Sequence, residues 1–523
     1  MKNVGSSKLS ITRPNYGRTK LGTSTGKTLT FLLLAFTMTT TLSQAQTHTV
    51  LHSFDWTDGA DPNAGLVQGI NGNFYGATTY GGAAGNCLYS CAGTIFEITP
   101  EGTFKVLYQF CSLANCADGN YPYATLLQAT NGNLYGTTNA GGANGAGTVF
   151  EITPSGRLIT LYSFCSKRGC ADGDSPTAAL IEGTDHNFYG TTLIGGRQGG
   201  GTIFKITPAG KLITLYSFCA LDKCSDGESP HGGLVQASNG NFYGTTTIGG
   251  SAILGRCDAG CGTVFELTSP GTLTTLYTFC SRANCIDGWE PVGGLVQAAD
   301  GNLYGTTLFG GIGEVCGFPG CGTVFQLTPT GTLTTLHSFC IEGGCPDSFA
   351  PFAALALGSN GLLYGTVEGG GYGAAFETTT TGNFKTLYNF CSQSSCLDGA
   401  QPYSPLMQAT NGNFYGTTYN GGSNYIYYYC PYECGTVFGL STGLAPFVEA
   451  LSTSGAAGTS VVILGNNLTG STSVNFNGTA AAFTVVSSTE ITATVPAGAT
   501  TGKITVATST DTLTSNVAFR VTP

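Results

Sequence analysis

Charge is scarce in this chain. Only 9% of its 523 residues are Asp, Glu, Lys or Arg, and the 29 acidic residues outnumber the 19 basic ones, for a net charge of −10. A surface so poor in cations argues against nucleic acid and anionic lipid as partners. There are 3 Met and 2 Trp. The five histidines (His48, His52, His186, His231 and His337) form no HExxH or comparable cluster, so no metal centre and no cofactor is expected. No Gly-x-Ser-x-Gly elbow occurs beyond the first 46 residues, which removes the usual signature of a serine hydrolase. Long apolar runs are missing as well. The longest candidate, Leu29 to Met38, is short and Thr-rich for a bilayer span.

That run sits in a segment that reads as a signal peptide, residues 1–46. Its six basic residues (Lys2, Lys8, Arg13, Arg18, Lys20 and Lys27) precede the apolar stretch, and Ser43-Gln44-Ala45 is a small-x-small cleavage site. Removing it leaves 13 basic residues against 29 acidic, a net charge of −16. The expectation is an exported protein, secreted or at the cell surface or periplasm, with no membrane insertion after cleavage.

What the chain does hold is 41% hydrophobic residues, 80 Gly, 25 Tyr and 30 Phe, a composition for a packed β-rich core. It also holds a repeat. Asn-Phe/Leu-Tyr-Gly-Thr-Thr recurs with its tyrosine at Tyr75, Tyr135, Tyr189, Tyr243, Tyr304, Tyr364 and Tyr415, spaced 51 to 61 residues apart. In the second copy, Leu126 to Gln128, Leu134 to Thr138, Gly147 to Thr153 and Leu158 to Phe164 read as four short strands. Asn131-Gly132 reads as a type I′ hairpin turn between the first two. Small residues precede the first strand of each copy, as in Gly232-Gly233 and Ala353-Ala354, which places that strand innermost. The seventh copy lacks its outer strand, and Thr49 to Phe54 supplies a matching one at the other end. These features predict an all-β fold: a seven-bladed β-propeller over residues 47–441, closed by the N-terminal strand.

The repeat units resemble the GloVer (Gloeo/Verruco) tandem repeats of bacteria over residues 48–441, through the string YGTT…GG…GTVF…TP.G…LYSF. The resemblance implies export and repeat identity and leaves the ligand open. Residues 445–523 resemble an IPT/TIG domain, an Ig-like β-sandwich. The residues that carry this are Gly455 to Leu468, Val474 to Gly478, Ile491 to Pro496 and Gly502 to Val506.

Twenty cysteines fall into ten close pairs. Six follow the outer strands and close very short loops: Cys111/Cys116, Cys165/Cys170, Cys219/Cys224, Cys280/Cys285, Cys340/Cys345 and Cys391/Cys396. Four lie between second and third strands, where that loop is long: Cys87/Cys91, Cys257/Cys261, Cys316/Cys321 and Cys430/Cys434. They come and go in twos, as bonded partners do. The rival is a four-thiolate zinc site, weighed against by the absence of interleaved His and by the oxidising compartment a signal peptide implies. Antiparallel topology puts all ten pairs on one face.

Trp56, Trp289 and the cluster Tyr425, Tyr427, Tyr428, Tyr429 and Tyr432 gather on that face as candidate ligand-binding residues, with packing onto their own loops as the alternative. Seven aspartates (Asp58, Asp118, Asp172, Asp226, Asp287, Asp347 and Asp398) precede the inner strands, mostly as Asp-Gly-x-x-Pro. They read as Asx-type turns ahead of a cation ring. Glu182, Glu228, Glu290, Glu314, Glu342 and Asp258 break the repeat on or near the loops, and no catalytic set is assigned among them. The reading that results is an exported binding or surface protein whose ligand is a neutral glycan or another extracellular protein. The alternatives are a polysaccharide-acting glycosidase or lyase, and a passive envelope component. Oligomeric state is left open.

Overall fold

The computed structural model describes residues 46–82, 92–250, 259–268, 271–313, 315–317, 320–341, 343–424, 430 and 434–522. The signal segment, Cys87, Cys91, Cys257, Asp258, Glu314, Glu342 and all five tyrosines of the Tyr425–Tyr432 cluster lie outside the described residues. Among those described the fold is all-β, with single 3₁₀ turns and no α-helix.

The repeats form seven four-stranded antiparallel sheets, each a β-propeller-like unit. In the second unit the strands are Leu127–Gln128, Leu134–Thr138, Thr148–Ile152 and Leu158–Ser163. The second strand is buried along its whole length, whereas the outer strand alternates between more and less exposed positions. The strand at Thr47–Ser53 pairs with Thr436–Ser441 and is the outer strand of the seventh sheet.

The hairpin between the first two strands differs from the expected type I′ turn. Gly132 N–H donates to Ala129 O at 3.0 Å, and Ala129 N–H donates to Asn133 O at 3.0 Å. Gly132 has φ +86° while Asn131 stays at negative φ. This is a three-residue loop with glycine in a left-handed bulge position. The Asn131 carboxamide oxygen accepts from Asn133 N–H, which favours this geometry over a two-residue turn.

The short stapled loops after the outer strands take a defined form. Cys116, Cys170 and Cys396 each end a single 3₁₀ turn, at Ala114–Cys116, Arg168–Cys170 and Ser394–Cys396, and Cys224 and Cys285 do the same at Asp222–Cys224 and Ala283–Cys285. The physical reason is a backbone bond. Cys116 N–H donates to Leu113 O at 3.1 Å, Cys170 N–H to Lys167 O at 2.9 Å and Cys396 N–H to Gln393 O at 3.1 Å. Two left-handed residues in succession then carry the chain round: Asn115 and Cys116 at φ 56° and 51°, Gly169 and Cys170 at 66° and 51°, Ser395 and Cys396 at 57° and 49°.

Apolar burial lies between sheets. Tyr75, Ile95 and Phe110 of the first unit share one cluster with Leu126, Leu134 and Phe150 of the second. Equivalent clusters join each later pair of units. A further one joins the seventh to the first, with Phe54, Tyr415 and Val437 against Phe74 and Phe96. Full burial of such side chains contributes roughly 1.5–3 kcal/mol each. The inner strands close the same circuit: a Cβ on Gly65 would lie 2.9 Å from Thr125 Oγ1 in the second unit and 2.8 Å from Pro405 in the seventh. Small residues are therefore a steric requirement at the centre. A Cβ on Gly232 would come within 2.8 Å of Gly293 O, and one on Gly293 within 2.7 Å of Ala353 O.

Residues 445–522 form two further sheets, of four and five strands. They enclose a core that includes Val461, Ile463, Val474, Phe476, Ile491, Ile504, Val506 and Phe519. This part meets the hairpin-turn side of the repeats. Thr489 Oγ1 donates to Ile70 O at 2.8 Å, Asn466 Nδ2 to Thr410 Oγ1 at 2.7 Å, and Arg520 Nη1 to Ser238 O at 2.9 Å.

Candidate functional site

The chain enters each inner strand from the cysteine-bearing side, and that entry is built alike in unit after unit. Eight disulfides lie within the described residues, all between sequence neighbours. Six follow outer strands: Cys111–Cys116, Cys165–Cys170, Cys219–Cys224, Cys280–Cys285, Cys340–Cys345 and Cys391–Cys396. Cys316–Cys321 and Cys430–Cys434 precede third strands. Cys261 is disulfide-bonded as well. The two kinds of pair meet inside one unit, since the sulfurs of Cys316, Cys321 and Cys340 lie within 4.8 Å of one another. Cys116, Cys170 and Cys396 stand apart from that arrangement. Their units have the short loop or lack a described second pair, and the three join no group of three potential metal ligands among the described residues. What they hold is the backbone turn that leads to the aspartate.

Asp118 Oδ2 accepts from Tyr108 Oη at 2.8 Å, Ser112 N–H at 3.0 Å and the Ser112 hydroxyl at 2.9 Å. Leu113 N–H reaches Oδ1 at 3.3 Å. Asp172, Asp287 and Asp398 repeat this pattern, and Asp226 repeats it with Ala220 in place of the serine. The expected forward Asx turn is thus replaced by a buried carboxylate that looks back across the cysteine loop and fastens it to the outer strand. Burial acts to raise the Asp172 and Asp398 carboxyls, but the bonds from Tyr162 and Tyr388, from serine and from backbone N–H outweigh it and hold both below the ordinary range. At Asp58 and Asp347 a histidine takes the tyrosine's place.

Three residues later the backbone turns left-handed just before a proline. The residues there are Asp61, Tyr121, Ser175, Ser229, Glu290, Ala350 and Gln401, with φ between 53° and 59°. None is glycine, and left-handed backbone costs an L-residue about 1–2 kcal/mol. Hydrogen bonds to the preceding unit offset it. Tyr121 N–H donates to Ala92 O at 3.0 Å, Ser229 N–H to Gly200 O at 2.9 Å, and Asp61 N–H reaches the seventh unit at Cys434 O, 3.1 Å.

The residue after each proline then faces the centre: Asn63, Tyr123, Thr177, His231, Val292, Phe352 and Tyr403. These are seven neighbours in an otherwise repetitive frame, and their identities share almost nothing. With the small residues below them they line a well of about 370 Å³. Among the described residues, no Asp, Glu, Lys or Arg lines it. Burial lowers the pKa of His231, against a hydrogen bond to the Val292 backbone that favours the charged form. Its ring meets Phe352 edge-on at 5.5 Å, Phe352 meets Tyr403 at 5.5 Å, and Tyr403 meets Tyr419 at 5.3 Å. Thr177 Oγ1 is buried without a hydrogen-bond partner among the described residues.

Carboxyls stand behind the tyrosines. Burial pushes Asp61 up to about 7, against a bond from Tyr419 that acts the other way. Burial likewise raises Glu368, which Tyr403 contacts, and Glu290. The well's residues escaped the sequence reading, which followed what repeats and the conspicuous aromatics. The available signal was the reverse, namely the short stretch around each proline, such as Ala60 to Asn63 and Asn120 to Tyr123, where the repeat loses its identity.

Trp56 and Trp289 are half-buried and pack against different inter-sheet clusters. Trp289 pairs with Phe309 by backbone and meets its ring edge-on at 6.1 Å. The structure does not bring the two tryptophans together.

The family model described as Gloeobacter/Verrucomicrobia repeat matches residues 16–257, 220–430 and 316–510. No curated protein matches the chain in sequence. Among solved structures, a fungal alcohol oxidase of the AA5 family in complex with copper is 12% identical, with 91% of this chain and 99% of that chain covered and a TM-score of 0.47. A chain of a nidogen/laminin complex is 14% identical, with coverages of 57% and 91% and a TM-score of 0.35. TolB from Acinetobacter baumannii is 13% identical, with coverages of 56% and 59% and a TM-score of 0.33. At these values the likenesses bear on neither activity nor ligand.

Proposed function

The chain belongs to the Gloeobacter/Verrucomicrobia repeat family, and we propose that it is an exported binding protein that takes a neutral glycan in the central well of its cysteine-bearing face. In this reading residues 47–441 are a closed seven-bladed β-propeller, and residues 445–523 are an Ig-like domain of IPT/TIG type that serves as a spacer or interaction module. The observation that carries it is the contrast between frame and lining. The disulfide loops, the aspartates and the left-handed backbone before each proline recur, while the side chains that face the centre after each proline differ. A recurring frame that carries different side chains into one cavity is suited to recognition. The lining supports a neutral ligand, because it has aromatic faces for sugar C–H groups, hydroxyl and amide partners, and, among the described residues, no charged side chain. Trp56, Trp289 and the segment with Tyr425, Tyr427, Tyr428, Tyr429 and Tyr432 belong to loops of the same face and would extend the rim.

A glycan array tests this with the mature protein, a Y123A/F352A/Y403A variant and a Y427A/Y428A/Y429A variant. The parent is expected to bind neutral glycans. The well variant should lose at least about tenfold, roughly 1.4 kcal/mol, with its unfolding midpoint little changed. A well variant that binds as the parent does would move the site to the rim, and cleavage of a polysaccharide would replace binding with enzymatic action.

A further inference from the structure

Resting on that reading, we infer that the well receives the end of a glycan chain and not an internal stretch of one. The argument is one of access. Below the ring that carries Tyr123, Phe352 and Tyr403, the walls are the inner strands, whose small residues bring one backbone against the next. The far end of the axis is spanned by the C-terminal sheets. Their hydrogen bonds reach Ile70 in the first unit and Thr410 in the seventh on one side, and Ser238 in the fourth unit on the other. In a circuit of seven, the fourth unit stands opposite the junction of the seventh and first, so this bridge crosses the axis. A second cavity of about 380 Å³ lies beneath it and shares no lining residue with the well. The C-terminal sheets therefore stand across straight passage along the axis.

An extended polymer in passage needs an exit in line with its entrance, and here the bridge of C-terminal sheets stands across that line. Its volume is in the range of small-ligand sites, ~300–1,000 Å³. His231 also lines the well, and a neutral imidazole there offers a lone pair or an N–H to an entering hydroxyl.

The test uses neutral gluco-, xylo-, manno- and galacto-oligosaccharides, each immobilised in parallel through its reducing end and through its non-reducing end. The mature parent protein is compared with Ala179→Trp, which fills the well, and its fold is checked by circular dichroism and unfolding midpoint. Binding to one orientation only, lost in the folded Ala179→Trp protein, is the expected result. Affinity for soluble oligomers should then stop rising with length once the well is filled. Equal binding in both orientations, or binding that survives Ala179→Trp, overturns end recognition and leaves the binding function standing. Absence of binding to every neutral glycan in either orientation overturns the proposed function and this inference with it. If Ala179→Trp fails to fold, the orientation comparison on the parent alone decides the question.

Discussion

His52 bonds to Asp58 through Nε2 at 2.7 Å while its ring lies flat on Phe104, with centroids 3.8 Å apart and planes 4° from parallel. His337 repeats the arrangement with Asp347 at 2.8 Å and Phe384 at 4.0 Å and 6°. Where the outer strand carries Tyr108, Tyr162, Tyr216 or Tyr277 instead, the outer strand of the next unit has Leu158, Leu212, Leu273 or Leu333 at or next to its start. His goes with Phe and Tyr with Leu at these six junctions, whereas at the seventh Tyr388 stacks on His48, with centroids 4.2 Å apart and planes 6° from parallel. The His and the Tyr alike hold the aspartate.

This pairing predicts strong coupling. His52→Ala should cost about 2 kcal/mol, because it leaves a carboxylate short of its partner and a ring without its stack. His52→Tyr and Phe104→Leu should each destabilise alone, while the double variant recovers most of the loss, with a coupling of about 1 kcal/mol. Urea unfolding of the four proteins measures it. Simple additivity would show that the two rings are independent.

Asp61 sets a pH dependence. A carboxyl whose pKa is higher folded than unfolded binds its proton more tightly in the native state. Its contribution is therefore most favourable below pH 4 and is lost as pH rises to about 7, where burial has placed it. Glu449, also pushed up to about 7 by burial, acts with the same sign. Asp185 acts oppositely: hydrogen bonds from Lys205 and Tyr189 outweigh its burial and hold it at about 2, so its contribution fades below pH 4. Stability should decline from pH 4 to 7, and Asp61→Asn should flatten part of that slope. At pH 8 the variant should exceed the parent by on the order of 1–3 kcal/mol. Parallel slopes would place the Asp61 carboxyl in water.

Removal of residues 47–55 should leave Thr436–Ser441 as an unpaired sheet edge and take Phe54 from the cluster between the seventh and first units. The expected outcome is aggregation or misfolding, read by size-exclusion chromatography and light scattering. A truncated protein as monomeric and stable as the parent would show that the circuit does not depend on this strand.

Strands and units were legible because each repeats a local pattern. Leu134 to Thr138 is bounded by turn residues and forms as read. The turn at Asn131 and Gly132 was located but mistyped, since the choice between loop types rests on a side-chain bond from Asn131 that composition alone does not reveal. The pairing of Cys116, Cys170 and Cys396 was legible from spacing. The 3₁₀ turns that end on them were not, because nothing in Ala114-Asn115 or Ser394-Ser395 announces a left-handed residue. Asp118 was read as turning forward, because sequence offers only near neighbours. Its actual partners, Tyr108 and Ser112, come into reach through the disulfide loop. Trp56 and Trp289 drew attention by rarity, and the structure spends much of their surface on packing. The well was illegible for the opposite reason. Asn63, Tyr123 and His231 look unrelated along the chain and become one surface only when the units stand in a circle.

The sheet that joins Thr47 to Ser441 also fixes an order of events. Six sheets are built from contiguous chain and can form as each segment emerges. The seventh waits, because its outer strand is made first and its partner last. Across that interval residues 47–53 must stay extended and unmatched. The final step is therefore a search between distant parts of the chain, slow by comparison with the hairpins before it.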